Sequence, residues 1–194
     1  MRSEIDPKKR LVVAAIDLMR MYGLKAASVR EVAKHAKAPL GSTYHYFPNG
    51  KQEIINEALN LTGNLVLEKL DQALIDGPQK GLQQFIQQWK DILVNSSFRA
   101  GCPIMAVLVE AGNEEGSEQH IEHAANIFDL WENSLFHSLT EHHVCYEEAK
   151  NLALTIVAAV EGAVLLCRAK RSLVPLETVA QHFESALSKI LTTQ

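Results

Sequence analysis

The chain has 194 residues, of which 47% are hydrophobic and 22% are charged, and its formal net charge at pH 7 is −4. This composition is typical of an ordinary globular protein that is long enough to bury a core without disulfide bonds. The charge is uneven, since residues 1–52 hold ten Lys or Arg against four Asp or Glu, whereas residues 53–194 hold nine against nineteen. A DNA duplex would therefore attract the first part of the chain and repel the rest.

Cysteine spacing and hydropathy argue against a secreted or membrane-bound chain. Cys102, Cys145 and Cys167 are odd in number and widely spaced, which disfavours a disulfide framework or a zinc ribbon. The charged first residues, and Asp17 within the apolar stretch that follows, disfavour a signal or transit peptide. The apolar run over residues 152–167 is shorter than the roughly 20 residues that a membrane-spanning helix needs. We expect a cytoplasmic protein with reduced cysteines.

The first fifty residues carry the signals of three short helices. Asp6-Pro7 predicts the start of the first helix, with a capping oxygen followed by proline at the first helical position, and Gly23 predicts its end. Ser28 and Glu31 have the spacing of a capping box and predict the start of a second helix. A third helix is expected from about residue 38 to Phe47. Three helices in about fifty residues are typical of a helix-turn-helix unit.

Beyond residue 52 the apolar residues recur at helical spacing, and no alternation typical of strands is present. Six further helices are predicted over about residues 52–75, 82–93, 103–112, 121–139, 152–171 and 175–190. The sequence therefore predicts an all-α protein with a three-helix DNA-binding domain at residues 1–51 and a six-helix ligand-binding and dimerisation domain at residues 52–194.

Two segments of the first domain resemble a known family. Ser28-Val-Arg-Glu-Val-Ala and Gly41-Ser-Thr-Tyr-His-Tyr-Phe47, followed by Lys51, resemble the TetR family of dimeric one-component transcriptional regulators. In the second domain, Arg99-Ala-Gly-Cys-Pro-Ile-Met-Ala resembles the branch related to lincomycin- and flavonoid-responsive repressors. The resemblance implies a homodimer that binds a palindromic DNA operator and releases it when a small molecule binds.

The resemblance also implies roles for particular residues of the helix-turn-helix unit. Phosphate contacts are implied for Ser28, Tyr44, Tyr46 and Lys51. Contacts with base edges are implied for Arg30, Leu40, Ser42 and His45. These roles suit the chemistry, because hydroxyl and ammonium groups bind phosphates, Arg can bond guanine in a bidentate manner, and Leu can meet a thymine methyl group.

Two features depart from the family pattern. The spacing from Phe47 to Lys51 is one residue longer than the commonest family spacing, which affects the register of Lys51 toward a phosphate. Lys37 stands in the turn between the second and third helices, where the family usually has a glycine in the left-handed conformation. A residue with a Cβ is expected to be strained there.

Aromatic residues at helical spacing mark a candidate effector pocket in the second domain. The residues that could stack on a planar apolar ligand are Phe85, Trp89, Met105, Phe128, Trp131 and Leu165. The competing interpretation is an ordinary hydrophobic core, which such stripes form more often. The family resemblance, rather than the stripe, favours a ligand site.

A dimer interface is predicted on the last two helices. The eighth helix is apolar on nearly all sides, which is more surface than one chain can cover, and the ninth adds a second apolar stripe. The residues assigned to the interface are Leu154, Val157, Val160, Val164, Phe183, Leu187 and Ile190.

Other functions have less support in the sequence. His120 with His123, and His142 with His143 and Cys145, do not provide four metal ligands, so we expect neither a metal nor a cofactor. The motifs of common enzymes are absent, and no catalytic residues are predicted. Two alternatives stay open: a thiol-based sensor of the same fold that acts through Cys102, and a helical ligand- or partner-binding protein without specific DNA readout.

Overall fold

The computed structural model describes residues 6–112 and 117–192, and within these ranges the chain is helical and contains no strand. The predicted all-α fold is confirmed. The described helices are α1 (Pro7–Tyr22), α2 (Val29–His35), α3 (Leu40–Tyr46), α4 (Lys51–Leu74), α5 (Pro78–Asn95), α6 (Pro103–Glu110), α7 (Ser117–Glu141), α8 (Tyr146–Lys170) and α9 (Val174–Thr192).

The predicted caps of α1 and α2 are confirmed. The Asp6 side chain accepts a hydrogen bond from the Lys8 backbone N–H at 3.3 Å, and Gly23, with φ of 90°, follows the last residue of α1. The Ser28 hydroxyl accepts from the Glu31 N–H at 3.3 Å at the start of α2. Each of these caps is formed by residues close together in sequence, so each could be predicted from a short stretch of sequence.

Helix α8 begins earlier than predicted, at Tyr146, and has 25 residues. Cys145 is extended before it, and two acidic residues, Glu147 and Glu148, follow in the first turn, where they suit the positive end of the helix dipole. By length and composition α8 could cross a membrane, a test that a core helix also passes. Its buried face, which includes Glu161, is that of a core helix packed in the chain.

The chain divides into two compact units. The first unit comprises the described residues up to 63 together with residues 102–125, and the second comprises residues 64–101 and those from 126 onward. The predicted boundary after residue 51 therefore differs from the structural one. The first turns of α4 belong with α1 to α3 because Ile54, Ile55, Ala58 and Leu59 are buried there.

The second unit is built on α5, α8 and α9, which pack against one another. The apolar face of α5 is buried along its length. A tight turn joins α8 to α9, in which Arg171 is left-handed (φ 49°) and the Ser172 N–H donates to the Cys167 carbonyl at 3.2 Å. Leu176, Phe183 and Leu187 are the buried residues of α9.

Candidate DNA-binding head and effector unit

The turn between α2 and α3 has a left-handed residue at the position where the family usually has glycine. Lys37 has φ of 52°. Its N–H donates to the Lys34 carbonyl at 3.1 Å, and the Ala38 N–H donates to the Ala33 carbonyl at 2.9 Å. These are the two bonds of a Schellman ending, in which glycine is the usual left-handed residue. The turn keeps its geometry at the cost of strain on Lys37.

Helix α3 separates an inner face from an outer face. Thr43, and Phe47 just after the helix, are fully buried. Leu40 and His45 are exposed, and 52% of Tyr44 is exposed, so Tyr44 is not part of the core. A Cβ added to Gly41 would meet no atom within 4 Å, which leaves open space above this part of α3. The outer face therefore offers side chains and backbone to a partner.

Hydrogen bonds at the starts of α2 and α3 determine which polar groups there can still bind a partner. The Ser42 hydroxyl donates to the Pro39 carbonyl at 2.7 Å, so its oxygen is left to accept. The Ser28 hydroxyl accepts from Glu31, so its proton is left to donate. Arg30 is exposed on α2, while Tyr46 and Lys51 are half-buried.

Basic side chains are abundant on the surface of the first unit. The exposed cations of the described segment before α4 are Lys9, Arg10, Lys25, Arg30, Lys34 and Lys37. Lys8 has a structural role instead: its Nζ lies 2.6 Å from Glu57 Oε1 and 5.5 Å from the centroid of the Phe47 ring. The hydrogen bond to Glu57 raises the pKa of Lys8. Lys8 thus links α1 to α4 through its ion pair with Glu57.

Two histidines of α7 bind α4, a role that the sequence analysis missed. His120 Nε2 lies 3.2 Å from the Gln52 carbonyl oxygen, and His123 lies 3.3 Å from Asn56 Oδ1 and 2.8 Å from Asn60 Oδ1. Burial lowers the pKa of both imidazoles. Across residues 6–112 and 117–192, no group of three candidate metal ligands is found. The contacts join residues more than 60 positions apart, which sequence periodicity cannot reveal.

Four aromatic residues predicted for the effector pocket belong to the second unit, and three of them are in ring contact. The Phe85 and Trp131 rings meet edge to face with centroids 5.8 Å apart, and Phe128 and Trp131 do so at 5.3 Å. Trp89 lies one turn after Phe85 on the same buried face of α5. We call Phe85, Trp89, Phe128 and Trp131 the aromatic cluster.

The other two candidates for the pocket lie elsewhere. Leu165 is exposed on α8, so the expectation that it lines an interior pocket needs correction. Met105 is half-buried on α6, in the first unit, whereas the aromatic cluster belongs to the second. The side chain of Leu165 was misplaced because α8 is apolar on nearly all sides, so its sequence does not show which residues face inward.

An open groove of about 770 Å³ lies in the second unit between α4, α5 and α9. Most of its lining residues are polar or charged, with both signs of charge present, and they include Glu68, Lys69, Gln84, Lys90 and Glu184. The groove therefore differs in chemistry from the aromatic pocket that the sequence predicts. None of the aromatic residues contributes to this lining.

The residues assigned to a dimer interface are divided between the interior and the surface. Val157, Val160, Val164, Phe183 and Leu187 are buried within the chain itself, so the expectation that they face a partner needs correction. Helices α8 and α9 pack against each other and against α5.

Two assigned residues keep surface exposure: Ile190 is half-buried, and 50% of Leu154 is exposed. Leu154 begins a row of exposed small or apolar residues spaced three or four apart, which places them on one helix face. We call this row the α8 stripe: Leu154, Ala158, Gly162, Leu165 and Ala169.

None of the three cysteines, Cys102, Cys145 and Cys167, forms a disulfide bond. Cys102 caps the start of α6 and is buried, which shields it from reagents in solvent. Cys167 is also buried, and burial raises the pKa of its thiol. Cys145 is the exposed one, next to the start of α8. The geometry at Cys102 thus does not favour a thiol-based sensor.

Helix α3 is exposed, follows α2 after a tight turn, and belongs to a unit with many basic side chains on its surface. These features are typical of a helix-turn-helix protein. Comparison with family models agrees: residues 11–58 match the model described as "Bacterial regulatory proteins, tetR family". Residues 78–182 match "Transcriptional regulator LmrA/YxaF-like, C-terminal domain". The chain belongs to the TetR family of transcriptional regulators, and its C-terminal domain is of the LmrA/YxaF-like type.

Individual relatives support the assignment over nearly the whole chain. An uncharacterised HTH-type transcriptional regulator of Mycobacterium tuberculosis is 36% identical, and the match covers 93% of this chain and 94% of that protein. YxaF of Bacillus subtilis is 28% identical over 97% of this chain and 99% of its own length. A TetR transcriptional regulator from Legionella pneumophila has the same fold, with a TM-score of 0.82 and 22% identity over 96% of this chain and 99% of that one.

Proposed function

We propose that the chain is a cytoplasmic one-component repressor that binds a palindromic operator as a homodimer and is released by a small, planar, largely apolar effector. The observation that carries the proposal is the outer face of α3, where Leu40, Tyr44 and His45 are exposed while Thr43 is buried. An apolar, an aromatic and an imidazole side chain on a basic unit suit a DNA groove.

At the proposed DNA interface, we assign phosphate contacts and base contacts to different residues. Ser28, Tyr44, Tyr46 and Lys51 would bind phosphates and fix the register, and Arg30, Leu40, Ser42 and His45 would meet base edges. The hydrogen bond from the Ser42 hydroxyl to the Pro39 carbonyl limits which base atoms Ser42 could contact. With its proton engaged, this hydroxyl would accept from the amino group of cytosine or adenine.

The α8 stripe is the surface on which we place the homodimer contact. Its exposed leucines, Leu154 and Leu165, flank two small residues, Ala158 and Gly162. A Cβ on Gly162 would meet no atom within 4 Å, so the backbone of α8 is open to close approach by a partner helix. A stripe along one helix pairs with its own copy about a two-fold axis, which matches the symmetry of a palindrome.

The aromatic cluster is where we place the effector. Rings of Phe, Trp and Trp stack on flat apolar molecules. The excess of Asp and Glu over Lys and Arg in residues 53–194 disfavours a multiply charged anion. Such an effector must bind one conformation better than the other to act as a switch. Helix α4 contributes residues to both units and is the element that we expect to change conformation, with Thr62-Gly63 as the place where it would bend.

A reporter gene tests the repressor assignment. A duplex selected by the protein is placed between a promoter and the reporter, and the chain is expressed from a second promoter. We expect expression of the chain to lower the reporter signal, and a compound that quenches tryptophan fluorescence to restore it. A chain with Arg30→Ala serves as the control that folds but reads the site poorly. A reporter signal that rises with the chain would make the protein an activator.

A further inference from the structure

The open groove between α4, α5 and α9 carries equal numbers of positive and negative side chains. Three carboxylates and three ammonium groups belong to its lining: Glu68, Asp76, Glu184, Lys69, Lys80 and Lys90. The ion pairs found among residues 6–112 and 117–192 involve other side chains. A ligand of one sign would be repelled by half of these groups, so the groove suits a ligand that carries both charges.

The negative excess lies at the end of the groove next to the turn between α4 and α5. Asp76 is in that turn, and Lys80 is in the first turn of α5. Gln79 donates a hydrogen bond to Ser188 of α9 at 3.1 Å, which places Glu184, one helical turn earlier on α9, toward the same end. This end therefore has two carboxylates and one ammonium group.

The positive excess lies at the opposite end of the groove. Lys90 follows Lys80 by ten residues on α5, which is about 15 Å along the helix axis. Lys69 is seven residues before Asp76, so it also lies away from the turn, with Glu68 beside it. This end has two ammonium groups and one carboxylate. A ligand with one positive and one negative end would therefore bind in a single orientation.

Amide side chains line the groove between the charged ends: Gln72, Gln83, Gln84 and Gln87. A side-chain amide both donates and accepts hydrogen bonds, as a peptide group does. The amide nitrogen of Gln87 donates to Asp91 Oδ1 at 2.7 Å, which leaves the Gln87 oxygen as an acceptor. The described lining residues include no aromatic side chain, so a flat ring would find no stacking surface in the groove.

We infer that the groove binds a short, extended peptide with free ends, whose ammonium group pairs with Asp76 and Glu184 and whose carboxylate pairs with Lys69 and Lys90. The glutamines between them hydrogen-bond its peptide groups. Four extended residues span about 13 Å, which fits the distance of about 15 Å between the ends of the groove. The peptide would be a further ligand, distinct from the operator and from the proposed effector.

Tetraalanine and its blocked forms test this inference on the full chain. The four probes are tetraalanine with free ends, N-acetyl tetraalanine, tetraalanine amide, and the peptide blocked at both ends. A nitrogen–proton NMR titration follows the side-chain amide signals of Gln83 and Gln84, which Gln83→Met and Gln84→Met identify. We expect free tetraalanine to shift these signals. Each blocked end should weaken binding about threefold, and both together about tenfold, because each removes one ion pair at a solvent-accessible site.

Two double variants assign the ends of the peptide to the ends of the groove. Lys69→Gln with Lys90→Gln should weaken free tetraalanine about threefold and leave tetraalanine amide, which has no carboxylate, unaffected. Asp76→Asn with Glu184→Gln should weaken free tetraalanine to a similar extent and leave the N-acetyl peptide unaffected. Lys150→Gln, an exposed position of α8 outside the lining, is the control and should change nothing. All these positions are exposed or half-buried, so each variant should fold.

Each result decides for or against the peptide site. If the peptide blocked at both ends binds as tightly as free tetraalanine, the pairing of the ends is wrong. If either double variant weakens all four peptides by the same factor, the assigned orientation is wrong. If free tetraalanine leaves the glutamine signals unmoved at millimolar concentration, the groove is not a peptide site. None of these results bears on operator binding, which has its own test.

Discussion

Lys37 closes the turn between α2 and α3 in a conformation that suits glycine. Replacing it by glycine should stabilise the protein by about 1 kcal/mol, because the relief of left-handed strain exceeds the extra entropy of glycine in the unfolded chain. Urea unfolding monitored by circular dichroism measures this change. Lys37→Ala is the matched control, since it removes the same charge and keeps the Cβ. Equal stability of the two variants would show that charge, rather than backbone conformation, is responsible.

Truncating Arg30 and truncating Lys51 should weaken DNA binding in different ways. Arg30→Ala should cost about 1–3 kcal/mol on the preferred operator and relax the choice of one base pair. Lys51→Ala should weaken all sequences alike and reduce the salt slope of binding by about 1, because one phosphate contact is lost.

Fluorescence anisotropy with matched and mutated duplexes at several salt concentrations separates these effects. Lys25→Ala, an exposed lysine outside α2 and α3, is the control and should change little. If Arg30→Ala weakens every duplex by the same factor, Arg30 has no part in base readout.

The α8 stripe can be tested without disturbing the core. Leu154→Asp places a charge at a side chain that is 50% exposed, so the chain should fold and sediment as a monomer with reduced operator affinity. Val94→Asp, on α5 and 54% exposed, is the matched control and should stay dimeric. A Leu154→Asp chain that still sediments as a dimer would place the interface on another surface.

The histidine contacts between α7 and α4 predict a pH dependence of stability. Burial lowers the pKa of His120 and His123 in the folded chain, so below the ordinary histidine pKa of about 6.5 the unfolded chain binds more protons than the folded one. Stability is therefore complete above that pH and falls as the pH drops toward the lowered pKa values.

Replacing both imidazoles should reduce this loss on acidification. We expect the His120→Gln, His123→Gln double variant to lose less stability than the original chain between pH 7.5 and 5.5, measured by urea unfolding at each pH. His137→Gln, at an exposed position of the same helix, is the control. An unchanged pH dependence in the double variant would mean that these contacts do not oppose protonation.

The sequence predicted the helix ends better than the helix faces. Asp6, Gly23 and Ser28 act on neighbouring residues, so their effect is visible in a short stretch of sequence. The inward side of α8 depends on where α5 and α9 pack, and an almost uniformly apolar helix gives no periodic signal of it. Val160 was for this reason assigned to an interface, and Leu165 to an interior, in the reverse of their observed burial.

The helix-turn-helix segment, α1 to α3, was easier to predict from sequence than the proposed effector site in the second unit. Its residues follow a family motif, and the outer face of α3 agrees with that motif at Tyr44 and His45. The contacts of His120 with Gln52 and of His123 with Asn60 arise only in the folded chain, because they join separate helices. The charged side chains of the groove likewise come together only when α4, α5 and α9 pack.

Effector and operator should oppose each other with one coupling free energy. A compound that binds the aromatic cluster should quench Trp89 or Trp131 fluorescence and weaken operator binding by some factor, and the operator should weaken binding of the compound by that same factor. Two titrations, each performed with and without the other ligand, measure this equality. A compound that quenches fluorescence and leaves operator affinity unchanged would show that the site exists without the switch.

Selection of duplexes from a random pool by the chain tests the central claim most directly. The account predicts an enriched sequence with two half-sites related by two-fold symmetry, with centres about 34–36 Å apart or at a multiple of that distance. It predicts two chains on each such duplex and weaker binding as the salt concentration rises. A pool that stays random after repeated rounds, while salt-sensitive binding persists, would contradict specific readout and leave a helical protein that binds DNA by charge alone.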